Sequence, residues 1–233
     1  MTSTTNDRTR LDYEDIRSGM ALMQTVYTIA LVLGLEKVVE ASYSLYFSRT
    51  SEPSVTSPGY LVVILAAIIL LSIRFFWVPR NLNSYIISFY DDLKERVFTR
   101  MTTIHFPIAL AHALLFYYIS QVFVDMTQVH AGVESQEMTD NATRFVVLYA
   151  ALLLLNSAWL LRITPRAAEA THPGKIWAVN NAACALLALI ELALFRTVDL
   201  SNAAFIVLAC GTFITNSVLD LWKASKFYIL YEG

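Results

Sequence analysis

Hydrophobic positions in this chain gather into six long blocks, at about 19–40, 59–78, 104–124, 145–163, 176–195 and 203–222. Each is long enough to cross the roughly 30 Å hydrocarbon core of a bilayer as a helix. The pattern predicts an all-α, polytopic integral membrane protein, a six-transmembrane-helix bundle over residues 19–227. A polar tail, 1–18, precedes it and a short tail, 228–233, follows. Pro58 and Pro79 bracket the second block, Pro165 and Pro173 punctuate the loop after the fourth, and Asp199 with Ser201 offers an N-cap for the sixth.

The first block carries no charge between Arg17 and Glu36. Within it, Gln24, Thr28, Leu31 and Leu35 recur at four, three and four residues and so share one helical face. Hydrocarbon offers amides and hydroxyls no partners, so this face is expected to meet other helices or water. It is the first candidate for a surface that lines something.

Composition agrees with the pattern. Hydrophobic residues make up 56% of the chain and charged residues 15%, against about 25% charged in an ordinary soluble domain. The polar, mixed-charge start predicts no cleavable signal peptide. The net charge of -2 points to no nucleic-acid partner. Cys184 and Cys210, both inside apolar blocks, make neither a disulfide framework nor a zinc cluster.

Charge distribution sets the topology, because lysine and arginine are retained on the cytoplasmic side. Thirteen of the seventeen basic residues fall on one side: Arg8, Arg10 and Arg17; Arg74, Arg80, Lys94, Arg96 and Arg100; Arg162, Arg166 and Lys175; Lys223 and Lys226. The other side has Arg49, Arg144 and Arg196, with Lys37 in the extended first block. Both termini are therefore expected in the cytoplasm, in the plasma or inner membrane of a cell. The outer loop near 125–143 carries Asp125, Glu134, Glu137 and Asp140, and is read as a solvated loop kept free of arginine by topology. Asn141-Ala-Thr143 matches a glycosylation sequon. In the inner loop 80–103, Tyr85, Ile86, Phe89, Leu93 and Val97 recur at helical spacing, which predicts an amphipathic cytoplasmic helix.

Ionisable and amide groups inside spans are costly and so mark functional candidates. His112 stands near the middle of the third span and Glu191 in the outer third of the fifth, which also holds Asn180 and Asn181. On the sixth, Thr212, Thr215, Asn216, Asp220 and Lys223 form a stripe expected to face the bundle interior. Ala178, Ala182 and Ala185 make a small-residue face suited to close helix packing. Glu36, Lys37 and Glu40 fall at the outer interface. Catalytic and nucleotide-binding motifs are absent and the four histidines lack metal-ligand spacing, so no enzyme, cofactor or metal site is expected.

Arg17 just before the first span, Glu36 nineteen residues later, Phe76-Trp77 at the end of the second, and Arg144-Phe-Val-Val-Leu-Tyr-Ala-Ala-Leu-Leu-Leu-Leu155 together resemble the small six-helix potassium leak-channel family of endolysosomal channels and bacterial homologues. The family's Phe-Ser-Asp signature is replaced here by Ser18-Gly-Met-Ala-Leu-Met23. The resemblance implies a homo-oligomeric pore for monovalent cations, lined by the first helix at the positions of Thr28, Val32 and Leu35. The function expected is thus a cation channel, with potassium the ion the resemblance names. Its alternative is a non-conducting membrane scaffold or sensor acting through the cytoplasmic loops.

Overall fold

The computed structural model describes residues 21–22, 25–26, 28–40, 43, 62–73, 106–127, 134–163, 173–198 and 200–229. Among them there is no strand. Six helices fall within or across the six apolar blocks: α1 (residues 28–40), α2 (Val62–Ile73), α3 (Phe106–Thr127), α4 (Glu134–Ile163), α5 (Pro173–Thr197) and α6 (Asn202–Ile229). Four of these are long and apolar enough to cross a membrane, through Phe106–Met126, Glu137–Leu161, Gly174–Thr197 and Ala204–Trp222. They are compatible with a multi-pass membrane protein. The inner loop 80–103 and both tails, with their basic residues, lie outside the described residues apart from the end of α6.

Helix α4 is the centrepost. It packs against α3, α5 and α6, while α5 also packs against α6. Its thirty residues span about 45 Å at 1.5 Å each, longer than the bilayer core requires. The excess corrects the reading of 125–143 as a loop, because α4 begins at Glu134, well before the apolar block. Glu137 and Asp140 are exposed on its first turns, so a solvated helix end takes the place of much of the loop. Asp125 belongs to the last turn of α3 and accepts a hydrogen bond from Gln121 Nε2 at 3.0 Å. Asn141, by contrast, is buried.

The centrepost buries a residue at nearly every turn: Met138, Ala142, Phe145, Tyr149, Leu153, Asn156 and Trp159. Across from it α5 presents Ala178, Ala185 and Ala188, all fully buried. Small residues of this kind let helix backbones approach closely, as in membrane bundles generally. Ser157 Oγ donates to the Ala178 carbonyl at 2.6 Å. Ala182, expected on the same face, is only half-buried.

The turn from α5 to α6 is short, and Ser201 caps the second helix: its hydroxyl accepts from Ala204 N at 3.3 Å, its carbonyl from Phe205 N at 3.0 Å. The two helices therefore form an antiparallel hairpin, zipped near the turn by Phe195 stacked on Phe205, centroids 4.3 Å apart. Deeper in, Phe213 of α6 stacks on Tyr149 of α4 at 3.8 Å, with Phe145 edge-on to it.

Candidate functional site

Helix α1 sits on the bundle by a strip of residues at intervals of four. Ala30, Gly34 and Val38 are buried, and a side chain at Gly34 would meet Phe116 Cε1 at 2.5 Å and Ser120 Oγ at 2.9 Å of α3. The missing Cβ leaves room for the Phe116 ring and the Ser120 hydroxyl to sit against α1. That contact fixes the rotation of α1, and hence the fate of the predicted lining face. Thr28 and Val32 are exposed, the latter to 58%, while Leu31 and Leu35 are half-buried at the flank. Gln24 lies outside the described residues. Val32 and Leu35, together with Glu36, Val39, Glu40 and Tyr43, line one shallow open groove along α1. Lys37 reaches Glu40 at 3.5 Å beside it.

A second polar constellation lies between α5 and α6. Asp220, 3% exposed, accepts from the indole N–H of Trp177 on one carboxylate oxygen and from Asn180 Nδ2 on the other. Asn180 Nδ2 also reaches Asn216 Oδ1 at 2.6 Å, and Asn216 Nδ2 donates to Asn181 Oδ1 at 3.3 Å. Further along, Cys184 Sγ donates to the Thr212 carbonyl at 3.5 Å and the Thr212 hydroxyl bonds Glu191 Oε1 at 2.7 Å. From Trp177 to Glu191 this seam follows about 21 Å of helix axis, most of a bilayer core. Neutral contacts of this sort average about 0.6 kcal/mol in membrane bundles. The bonds onto the Asp220 carboxylate belong to a stronger class, about 1.5–3 kcal/mol for a charged acceptor.

The seam unites Glu191, Asn216 and Asp220, three of the four polar candidates. Thr215 departs from expectation: it is exposed, because two residues past the buried Phe213 a helix has turned about 160° away. His112 stands apart from the seam, buried on α3 with its ring 6.1 Å from Trp159 of α4 and a hydrogen bond to the backbone of Ile108. Trp177 and Cys184 escaped the sequence reading, although Trp177, Asn181, Cys184 and Glu191 recur at four, three and seven residues, the spacing of one helical stripe. The segment 84–98, on which the scaffold alternative depends, lies outside the described residues. Among those residues no cluster of histidine, cysteine, aspartate or glutamate is placed to hold a metal ion.

Fold and site together define a class, a helical bundle with four helices of membrane-crossing length and a polar seam inside it. No protein-family model, no curated protein and no solved structure matches the chain.

Proposed function

We propose that this chain is an integral membrane protein, threaded six times with both termini in the cytoplasm, whose copies assemble into a cation channel around α1. The observation that supports this reading is the groove of Val32, Leu35, Glu36, Val39, Glu40 and Tyr43. The Ala30–Gly34–Val38 strip already ties the opposite side of α1 to the bundle, leaving this groove and Thr28 turned outward. A shared aqueous pathway between copies keeps the carboxylates of this groove hydrated. Glu36 and Glu40 then raise the local cation concentration at its outer end. Thr28, Val32 and Leu35 form the constriction, selecting monovalent ions by width and hydration. Potassium is the ion the family resemblance names.

Purified protein in planar bilayers tests this. Single-channel recording is expected to show cation-selective current whose conductance changes in Thr28→Leu and in Leu35→Ala. Well-folded oligomers that pass no current across voltage and pH would remove the proposal.

A further inference from the structure

The α5–α6 seam holds two buried carboxyl groups, and the protein furnishes them in opposite ways. Asp220 has an N–H donor at each oxygen, as an acceptor-only carboxylate requires. Glu191, 6% exposed, has the Thr212 hydroxyl at one oxygen, 2.7 Å away, and no donor among the described residues reaches the buried Oε2. Among the described residues no cation compensates it either. Arg196 on its own helix and Arg144 on α4 are exposed and form no ion pair with it. Glu137 and Asp140 of α4 are exposed as well, and Tyr149 of that helix is stacked on Phe213. On α6 the titratable neighbour is Cys210, buried and within electrostatic reach of Glu191.

A buried carboxylate with one oxygen unsolvated is among the costliest groups a bundle can hold. An un-ionised acid is not, because its own O–H is a donor and the threonine hydroxyl both accepts and donates. We propose that Glu191 is a proton-binding site inside the bundle: an un-ionised carboxylic acid that hydrogen-bonds Thr212 across the α5–α6 interface. Loss of its proton loosens the end of the hairpin near residues 188–197. The site stands whether or not α1 lines a pathway, since none of its atoms belong to α1.

Infrared spectroscopy of the full-length protein in proteoliposomes at neutral pH tests it directly. The wild type is expected to show the carbonyl stretch of an un-ionised acid, above the amide bands, and Glu191→Gln to lose it. Thr212→Val, which removes the hydrogen bond, shifts that band to higher frequency. Raising the pH until the band disappears lowers the protection of the amides over 188–197, measured relative to the base-catalysed intrinsic exchange rate at each pH. No such band in the wild type, or a band unchanged in Glu191→Gln, overturns the proposal, and the first result is also what a bound metal cation would give. If Glu191→Gln does not fold, an unshifted band in Thr212→Val overturns it. Protection over 188–197 that is unchanged by loss of the band overturns the coupling to the hairpin.

Discussion

The indole N–H of Trp177 on α5 is bonded to a carboxylate oxygen of Asp220 on α6, with both side chains sealed between the helices. Asn180, partly buried, holds the other oxygen but also reaches Asn216 Oδ1, so removal of Asp220 strands one buried donor, the indole N–H. A stranded donor costs about 1–3 kcal/mol. Asp220→Ala is therefore expected to lower unfolding stability by about 1–3 kcal/mol. Asp220→Asn, which keeps one acceptor, is expected to cost roughly half as much. Denaturation in detergent micelles measures both, and the double variant with Trp177→Phe should cost less than the two singles summed. An Asp220→Ala protein as stable as the wild type would show that the indole bond carries no weight.

Gly34 carries the seating of α1. Any side chain there displaces the fully buried ring of Phe116. Overpacking of this kind costs about 1–3 kcal/mol, so Gly34→Val is expected to destabilise the protein by that amount. Shortening the obstacle with Phe116→Leu should recover part of the loss. A Gly34→Val penalty that is identical in both backgrounds would place the contact elsewhere.

Thiol labelling separates the two sides of α1 without a cysteine-free background, because Cys184 and Cys210 are both buried. In membranes, a water-soluble maleimide is expected to modify Thr28→Cys and Val32→Cys while leaving Ala30→Cys and the native cysteines untouched until the protein unfolds. Modification of position 28 by lipid-soluble reagents alone would place that face against acyl chains and end the pathway proposal, leaving the bundle intact.

The sequon at Asn141 is expected to stay unmodified. Its side chain is 3% exposed, between turns of α4 that face the core. Expression in a glycosylating host followed by glycosidase treatment should leave electrophoretic mobility unchanged. A mobility shift that Asn141→Gln abolishes would show that this turn of α4 opens before it packs.

Much of the bundle was legible because hydropathy blocks report where a helix must satisfy its own backbone. The extent of α4 was not. Glu134, Glu137 and Asp140 end the apolar run, yet charged side chains are ordinary on a helix that projects into water, so the block boundary undershot the helix end. On α6, the spacing of Thr212, Asn216 and Asp220 located the inward stripe, since polar groups at intervals of four share a face. Thr215 lay near that stripe in number and across the helix in angle.

The face of α1 was harder, for Thr28, Glu36, Lys37 and Glu40 are polar but do not say which side meets protein. The small residues Ala30 and Gly34, four apart, were the available signal. Polar residues drew attention to Thr28 instead, which the structure turns outward.

By itself, the sequence determined that the chain is helical and built from apolar blocks. It also determined that Glu191, Asn216 and Asp220 must find partners inside, because chain composition alone sets the cost of leaving them in hydrocarbon. Only the tertiary structure decided who those partners are. Asp220 could be matched with Trp177, and Glu191 with Thr212, only once the hairpin register placed residues some twenty to forty positions apart at the same depth. That register depends on side-chain shape along a whole interface, which no local pattern in one chain encodes.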